Sequence, residues 1–189
     1  YLSHAAESYL KSSNIAKAIE FSYKAARYAA ETTAHDVASR YFAKTLLLVS
    51  QCPALGITPP VDETSLKMEY GDVLMLTGRN EQALKLLKEL SGKVTKINTD
   101  TLLEIKYKIG CIYHFMGEFD HSIPYFKDVL CLLKKPFPDS KMRIASNLAM
   151  EIVKHFFIIP FCKSHSKKFH AHKLLLKTLN KLTYSLYFF

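Results

Sequence analysis

Residues Leu66 to Ser91 read LKMEYGDVLMLTGRNEQALKLLKELS, and their pattern returns once more along the chain. The stretch IKYKIGCIYHFMGEFDHSIPYFKDVL, from Ile105 to Leu130, aligns with them without a gap at an offset of 39 residues. Two glycines, one small residue and one large apolar residue recur at matching positions: Gly71 and Gly110, Gly78 and Gly117, Ala83 and Ser122, Leu87 and Phe126. Self-similarity at a fixed period indicates a repeat architecture.

Each copy predicts a helical hairpin. The first glycine lets a facing helix approach closely, which justifies its helix-propensity cost of about 1 kcal/mol. The second glycine suits the left-handed end of a helix, and Asn80 or Asp120 can then cap the next helix. The small residue permits close contact, while the large apolar residue fills the groove. Pro124 is tolerated because this register places it in the first turn of its helix.

A third copy is predicted at the N-terminus. Tyr1 to Lys11 precedes a turn, and Ile15 to Ala30 is rich in alanine at helix-packing positions. In this register Ala6 and Ala18 take the places of the first glycine and of the small residue.

A further helix is predicted from Ala34 to Ser50. Thr33 can cap it, with Asp36 three residues on. Small Ala38 and bulky Phe42 repeat the second-helix pattern.

These patterns divide the chain into five parts. Residues 1–51 are predicted to form N-terminal helical repeats, and residues 52–60 (CPALGITPP) a loop. Residues 61–135 form two hairpins, and residues 136–159 a following helix. Residues 160–189 form a basic tail that is either poorly ordered or a capping helix. The continuous 3.6-residue periodicity, with only 6 glycines and 7 prolines, predicts an all-α fold.

The spacings resemble the tetratricopeptide repeat, a helix-turn-helix unit of about 34 residues with small residues where its two helices touch. The resemblance implies antiparallel helical hairpins that form an α-solenoid. The chain departs from the repeat at Lys67 and Lys106, where the repeat usually has a bulky aromatic.

Two other segments are similar to the helical region of soluble adenylyl cyclases and of large multidomain signalling ATPases. They are NIAKAIEFSYKAARYAAETTAHDVASRYFAKTL, residues 14–46, and VLCLLKKPFPDSKMRIASNLAMEI, residues 129–152. The resemblance implies a helical arm of a nucleotide-dependent regulator. Because the chain begins at Tyr1 without an initiator Met, we expect it to be a segment of a longer protein.

The repeat geometry predicts where a protein partner, or another domain of the same chain, would bind. First helices line the concave side of such solenoids, and their inward positions are Met68, Asp72, Met75, Tyr107, Cys111 and His114. Met and Tyr provide adaptable contact surface. Packing between repeats is an equally open interpretation of Met68 and Tyr107. Tetratricopeptide proteins that bind chaperone tails use a set of basic and asparagine residues, and this chain lacks that set. An acidic C-terminal peptide is therefore not the expected ligand.

No motif in the sequence predicts catalysis or cofactor binding. The patterns GxxxxGK[ST] and GxGxxG are both absent, so no loop is expected to hold a nucleotide phosphate. We therefore expect a non-catalytic scaffold. The alternative is a piece of a nucleotide-handling enzyme, an adenylate cyclase or ATPase, whose catalytic domains lie outside this segment.

The pattern nearest to a metal site is Cys162, His165, His170 and His172. Structural zinc sites usually bring two ligand pairs together, and no second cysteine accompanies Cys162. We interpret the pattern as a histidine-rich tail and predict no metal.

The net charge of +9 is concentrated at the C-terminus. Residues 163–189 hold six lysines and no acid, which leaves 20 basic and 17 acidic residues, or +3, on the rest of the chain. Specific nucleic-acid binding is therefore not expected. The tail also has a leucine stripe at helical spacing: Leu175, Leu179, Leu182 and Leu186. It could cap the array, contact anionic lipid weakly, bind a partner, or be translated noncoding sequence.

The four cysteines stand far apart, which is typical of reduced thiols in a cytosolic protein. No N-terminal signal peptide is recognisable, and the apolar run FFIIPFC at residues 156–162 is too short to span a bilayer. A cytoplasmic location is expected.

Overall fold

The computed structural model describes residues 14–93, 99–134 and 166–187, together with the single positions 8 and 146. These ranges contain no strand and seven α-helices: α1 (Ile15–Glu31), α2 (His35–Gln51), α3 (Glu63–Leu76), α4 (Asn80–Lys93), α5 (Thr99–Phe115), α6 (Phe119–Leu132) and α7 (Ser166–Tyr187). Consecutive helices pair as hairpins, which confirms the all-α, tetratricopeptide-like fold class. The chain divides into two compact units, one containing α1–α4 and the other α5–α7.

The first unit has its core between α1, α2 and α3. Phe42 of α2 lies at its centre and is almost fully buried. Its ring contacts Tyr23 of α1 and Tyr70 of α3, with centroid separations of 6.2 and 6.0 Å. Small Ala18 and Ala26 on α1 are fully buried in the same cluster. One large ring facing several alanines lets three helix backbones approach closely.

The second unit is a hairpin of α5 and α6 on which α7 packs. Leu174, near the start of α7, joins a cluster with Leu103 of α5 and Val129 of α6. Tyr184, near the end of α7, contacts His114 of α5. Because Leu103 and His114 lie near the beginning and the end of α5, α7 runs parallel to α5 and antiparallel to α6.

All three hairpin turns use the same backbone motif. The residue at each turn has a positive φ: 60° at Thr33, 72° at Gly78 and 78° at Gly117. Its N–H donates to the carbonyl three residues back, and the next N–H donates to the carbonyl five residues back. This pattern is the Schellman motif, in which a left-handed residue ends a helix. Both glycines therefore have the predicted role.

The prediction that Thr33 caps the following helix was wrong. Its left-handed φ places it in the turn, and Ala34 precedes α2 without a side-chain capping hydrogen bond. Thr33 instead corresponds to Gly78. The spacing of Ala26, Thr33, Ala38 and Phe42 equals that of the first glycine, second glycine, small residue and large residue in the other hairpins.

The structure thus assigns α1 a different place in the repeat. From the sequence, α1 was expected to be the second helix of a hairpin, with Ala18 as its small residue. In the structure α1 pairs with α2 as a first helix, and Ala26 takes the place of Gly71. Ala6 lies outside the described residues.

Two further local predictions were wrong. Asn80 and Asp120 lie within α4 and α6 instead of preceding them, and Glu118 stands at the N-cap of α6 without a side-chain capping hydrogen bond. Pro124 lies inside α6, beyond the first turn, because the helix already begins at Phe119. Side-chain caps are present elsewhere: Asn14 Oδ1 accepts from the Lys17 N–H, and Asp62 Oδ2 accepts from the Ser65 N–H.

Between α2 and α3 the chain makes a short 3-10 turn, Pro53–Leu55, that ends at Gly56 with a φ of 65°. The helix predicted over residues 136–159 lies outside the described residues, apart from position 146. Among the helices that the structure describes, none combines the length and apolar character that crossing a membrane requires.

Candidate partner-binding site

The shared register of the hairpins shows which first-helix positions are equivalent. With Ala26 at the place of Gly71, Tyr23 and Arg27 of α1 correspond to Met68 and Asp72 of α3. The sequence reasoning missed Tyr23 and Arg27 because it aligned α1 as a second helix. The seven-, five- and four-residue spacing from Ala26 to Phe42 is the signal that could have found them.

In the first unit, Tyr23 and Arg27 hold α1 against α3. The Tyr23 hydroxyl donates to Glu69 Oε1 at 3.0 Å, and Arg27 Nε lies 3.6 Å from Glu69 Oε2. Burial, together with the hydrogen bond to Glu69, raises the pKa of Tyr23 to about 12. The phenol therefore stays a proton donor at neutral pH, and this contact is structural.

The three predicted residues of α3 lie on its surface. Met68, Asp72 and Met75 are each partly buried, so each keeps some side chain accessible. They follow one another at spacings of four and three residues, which places them on one face of the helix. Their role in binding a partner stays a prediction.

Of the three predicted residues of α5, one is buried and two are partly buried. Tyr107 is partly buried, with its ring 6.1 Å from that of Phe126. Cys111 is buried. Burial raises the pKa of both side chains, and a hydrogen bond joins the phenol and the thiol. The thiol is therefore protonated at neutral pH, which is unsuited to nucleophilic chemistry.

His114 lies in an aromatic environment. Its ring centroid is 5.2 Å from that of Tyr184 on α7, and 5.4 and 6.5 Å from those of Phe119 and Phe126 on α6. Burial, and secondarily the charge of Lys181, lowers the pKa of His114. The α5 part of the predicted site thus contacts another segment of the same chain, helix α7.

Helix α7 occupies the place that a following first helix takes in a repeat array. In the first unit, α3 packs on the α1–α2 hairpin and contacts Tyr23 of α1. In the second unit, α7 packs on α5–α6 next to Tyr107, which stands at the position of Tyr23. Helix α7 therefore packs on the α5–α6 hairpin in the way that α3 packs on the α1–α2 hairpin.

Both lysines at the usual aromatic position form ion pairs. Lys67 is buried and pairs with Glu63 one turn earlier, while Lys106 pairs with Asp128 across the hairpin. Paired charges let lysine occupy a position that an aromatic side chain normally fills.

Within the part of the chain that the structure describes, the other candidate groups are those that could hold a metal ion or act as a nucleophile. No group of three potential metal ligands occurs among those residues. Cys162 and His165 lie outside them, as do the side chains of His170 and His172. A groove of about 300 Å³ lies on the α3–α4 hairpin and is lined by Tyr70, Leu74, Gln82, Lys85, Leu86 and Glu89. These residues include no cysteine, serine or histidine that could act as a nucleophile with its base.

A family model for the tetratricopeptide repeat matches residues 103–130. The match runs from Leu103 in α5 to Leu130 in α6 and so covers one hairpin. No curated protein and no solved structure matches the chain. Together with the common register of the other two hairpins, the match shows that the chain contains a tetratricopeptide-like helical repeat region.

Proposed function

We propose that the chain is a non-catalytic helical repeat scaffold that binds a protein partner, or another domain of the same polypeptide, through the first-helix face of α3. The observation that supports this best is the difference between equivalent positions in the two units. On α5, Tyr107 and His114 pack against helix α7 and Cys111 is buried, whereas Met68, Asp72 and Met75 on α3 are all partly accessible. Methionine adapts to varied partner surfaces.

Site-specific photo-crosslinking tests the binding face. A photoreactive amino acid at Met75, in the full chain expressed in its native cells, is expected to capture a discrete partner or another domain of the parent protein. The matched control places the same group at exposed Leu47, on a second helix of the same unit. Equal capture at both positions would contradict the assignment of the α3 face.

We also propose that the scaffold is part of an adenylyl-cyclase-like or ATPase-like signalling protein of the cytoplasm. The support is the sequence similarity of residues 14–46 and 129–152, together with free thiols at Cys52, Cys111 and Cys131. Sequencing the complete transcript tests this proposal. Cyclase or P-loop motifs upstream would support it, and an open reading frame with neither would contradict it.

A further inference from the structure

The interface between α7 and the α5–α6 hairpin contains a histidine, His114, among its described residues. His114 lies at the end of α5, between Tyr184 of α7 and Phe119 of α6. Most of its near neighbours are rings, which solvate a charged imidazolium less well than water does.

The charged and titratable groups around His114 favour its neutral form. From α7, Lys181 faces the site, with its Nζ 4.3 Å from the ring centroid of neighbouring Phe115. Tyr184, also of α7, contacts the His114 ring through its own ring. From α6 the contacts are the rings of Phe119 and Phe126, which do not titrate.

Cys111 and Glu118 are further titratable residues close to His114 in the sequence. On α5 itself, Cys111 lies about one turn earlier and is protonated. Glu118, just before α6, pairs with His121, whose Nδ1 is 3.2 Å from a Glu118 carboxylate oxygen. Among the described residues, Lys181 is a positive charge that lowers the pKa of His114, in the same direction as burial.

We propose that His114 is a pH-sensitive switch for the docking of α7: protonation of its imidazole weakens the packing of α7 and uncovers the α5 face that carries Tyr107 and Cys111. When α7 leaves, the imidazole gains water and loses the nearby Lys181 charge. The undocked state therefore accepts the proton more readily than the docked state. The switch is independent of the proposed scaffold function, because it requires no partner.

The sign of the pH dependence follows from the direction of the pKa shift. The docked pKa of His114 lies below the ordinary value of 6.5, so docking is strongest above that value. Docking weakens as the pH falls through 6.5, and the effect levels off once the docked imidazole is protonated as well. If the docked form stays neutral, the opening equilibrium increases up to about tenfold at one pH unit below 6.5.

Hydrogen exchange of the full 189-residue chain tests the switch. Amide protection in α7, corrected for intrinsic exchange, is compared at pH 7.5 and 5.5. We expect protection to fall severalfold, up to about tenfold, while protection in α5 and α6 changes less. Equal loss in all three helices would indicate global unfolding of the unit and would overturn the proposal.

Two histidine variants identify the titrating group. His114→Gln is expected to abolish the pH-dependent loss of α7 protection. His121→Gln, on the same hairpin, is the matched control and is expected to retain it. NMR titration of the His114 ring should give a pKa below 6.5 in the unmodified chain. Retained pH dependence in His114→Gln, or a pKa above 6.5, would show that His114 is not the switch.

Discussion

Thr33 adopts a backbone conformation that its side chain disfavours. A β-branched residue with a φ of 60° is rare, because its Cβ substituents crowd the backbone there. The equivalent residues of the other two hairpins are both glycines, Gly78 and Gly117. Thr33 is therefore held in the left-handed region by the helices on either side of the turn, at some cost in stability.

Replacing Thr33 by glycine is expected to stabilise the first unit by about 1 kcal/mol. Relief of a left-handed conformation contributes about 1–2 kcal/mol, and the greater entropy of unfolded glycine offsets part of it. Urea unfolding followed by circular dichroism measures the change. The reciprocal variant, Gly78→Thr, should destabilise by about 1–2 kcal/mol. A loss of stability in Thr33→Gly would mean that the threonine side chain stabilises this turn.

Gly110 and Gly71 occupy the same repeat position, yet they should respond differently to alanine. A Cβ at Gly110 would lie 2.7 Å from Phe126 Cε1, whereas a Cβ at Gly71 would lie 3.1 Å from Leu87 Cδ2. The Phe126 ring is fully buried and has little room to move. The larger partner side chain makes glycine a stricter requirement in the second unit.

Gly110→Ala is expected to destabilise the second unit by about 1–3 kcal/mol, because overpacking exceeds the gain in helix propensity. Gly71→Ala should change stability by less than about 1 kcal/mol, since the leucine needs only a small shift. Thermal unfolding compares the two. The double variant Gly110→Ala, Phe126→Leu recreates the leucine arrangement and should show favourable coupling in a double-mutant cycle. Additive losses would contradict a steric origin.

At the scale of elements, two features of the α7 sequence have opposite effects on its packing. Its lysines repel one another, and the helix itself contains no aspartate or glutamate. Its apolar face nevertheless packs, with Leu174, Leu175, Leu179 and Leu182 all buried. Thr178 lies among them and donates its hydroxyl to the Leu174 carbonyl at 2.8 Å, which satisfies a buried polar group. Burial of four leucines contributes roughly 6–12 kcal/mol before the ordering of the helix is counted against it.

Leu182→Ala tests the packing of α7. Leu182 is fully buried, so its truncation is expected to destabilise the second unit by about 2–4 kcal/mol. Lys177→Ala, at an exposed position on the same helix, should change stability by less than about 0.5 kcal/mol. Thermal denaturation gives both values. Similar small effects of the two variants would show that α7 contributes little to the stability of the unit.

At the scale of the whole molecule, the two units share one way of packing their helices. Each unit contains a hairpin with the same geometry of helix contact: a small residue, a left-handed turn and a large apolar side chain. Burial raises the pKa of three side chains on the first helices, Tyr23, Tyr107 and Cys111, and so keeps them protonated at neutral pH. These three groups therefore contribute to packing in their neutral form.

The scaffold function predicts that the chain has no measurable affinity for ATP. Nucleotide phosphates need a glycine-rich loop or a comparable array of backbone N–H groups, and the sequence contains no such motif. Isothermal titration calorimetry with Mg-ATP is expected to show only the heat of dilution. The control is a titration with buffer that contains no nucleotide, at the same ionic strength. Saturable binding at micromolar concentration would favour the alternative, a piece of a nucleotide-handling enzyme.

The sequence by itself determined the helical hairpins, their turns at Gly78 and Gly117, and the close contacts at Gly71 and Gly110. These features are local: glycine signals a positive φ or a close backbone approach, and helical periodicity follows from neighbouring residues. The leucine stripe of α7 was visible as well, although the sequence left open whether this segment is a poorly ordered tail or a capping helix.

Only the tertiary structure decided the register of the first hairpin and the place of α7. Threonine carries no sign of a left-handed turn, and Thr33 adopts one in a hairpin whose two helices share a core cluster that includes Ala26 and Phe42. The position of α7 depends on contacts with residues far away in the chain, such as Leu103 and His114. At Thr33, the burial of large apolar side chains outweighs the strain of the left-handed backbone. In α7, it outweighs the repulsion between the lysines.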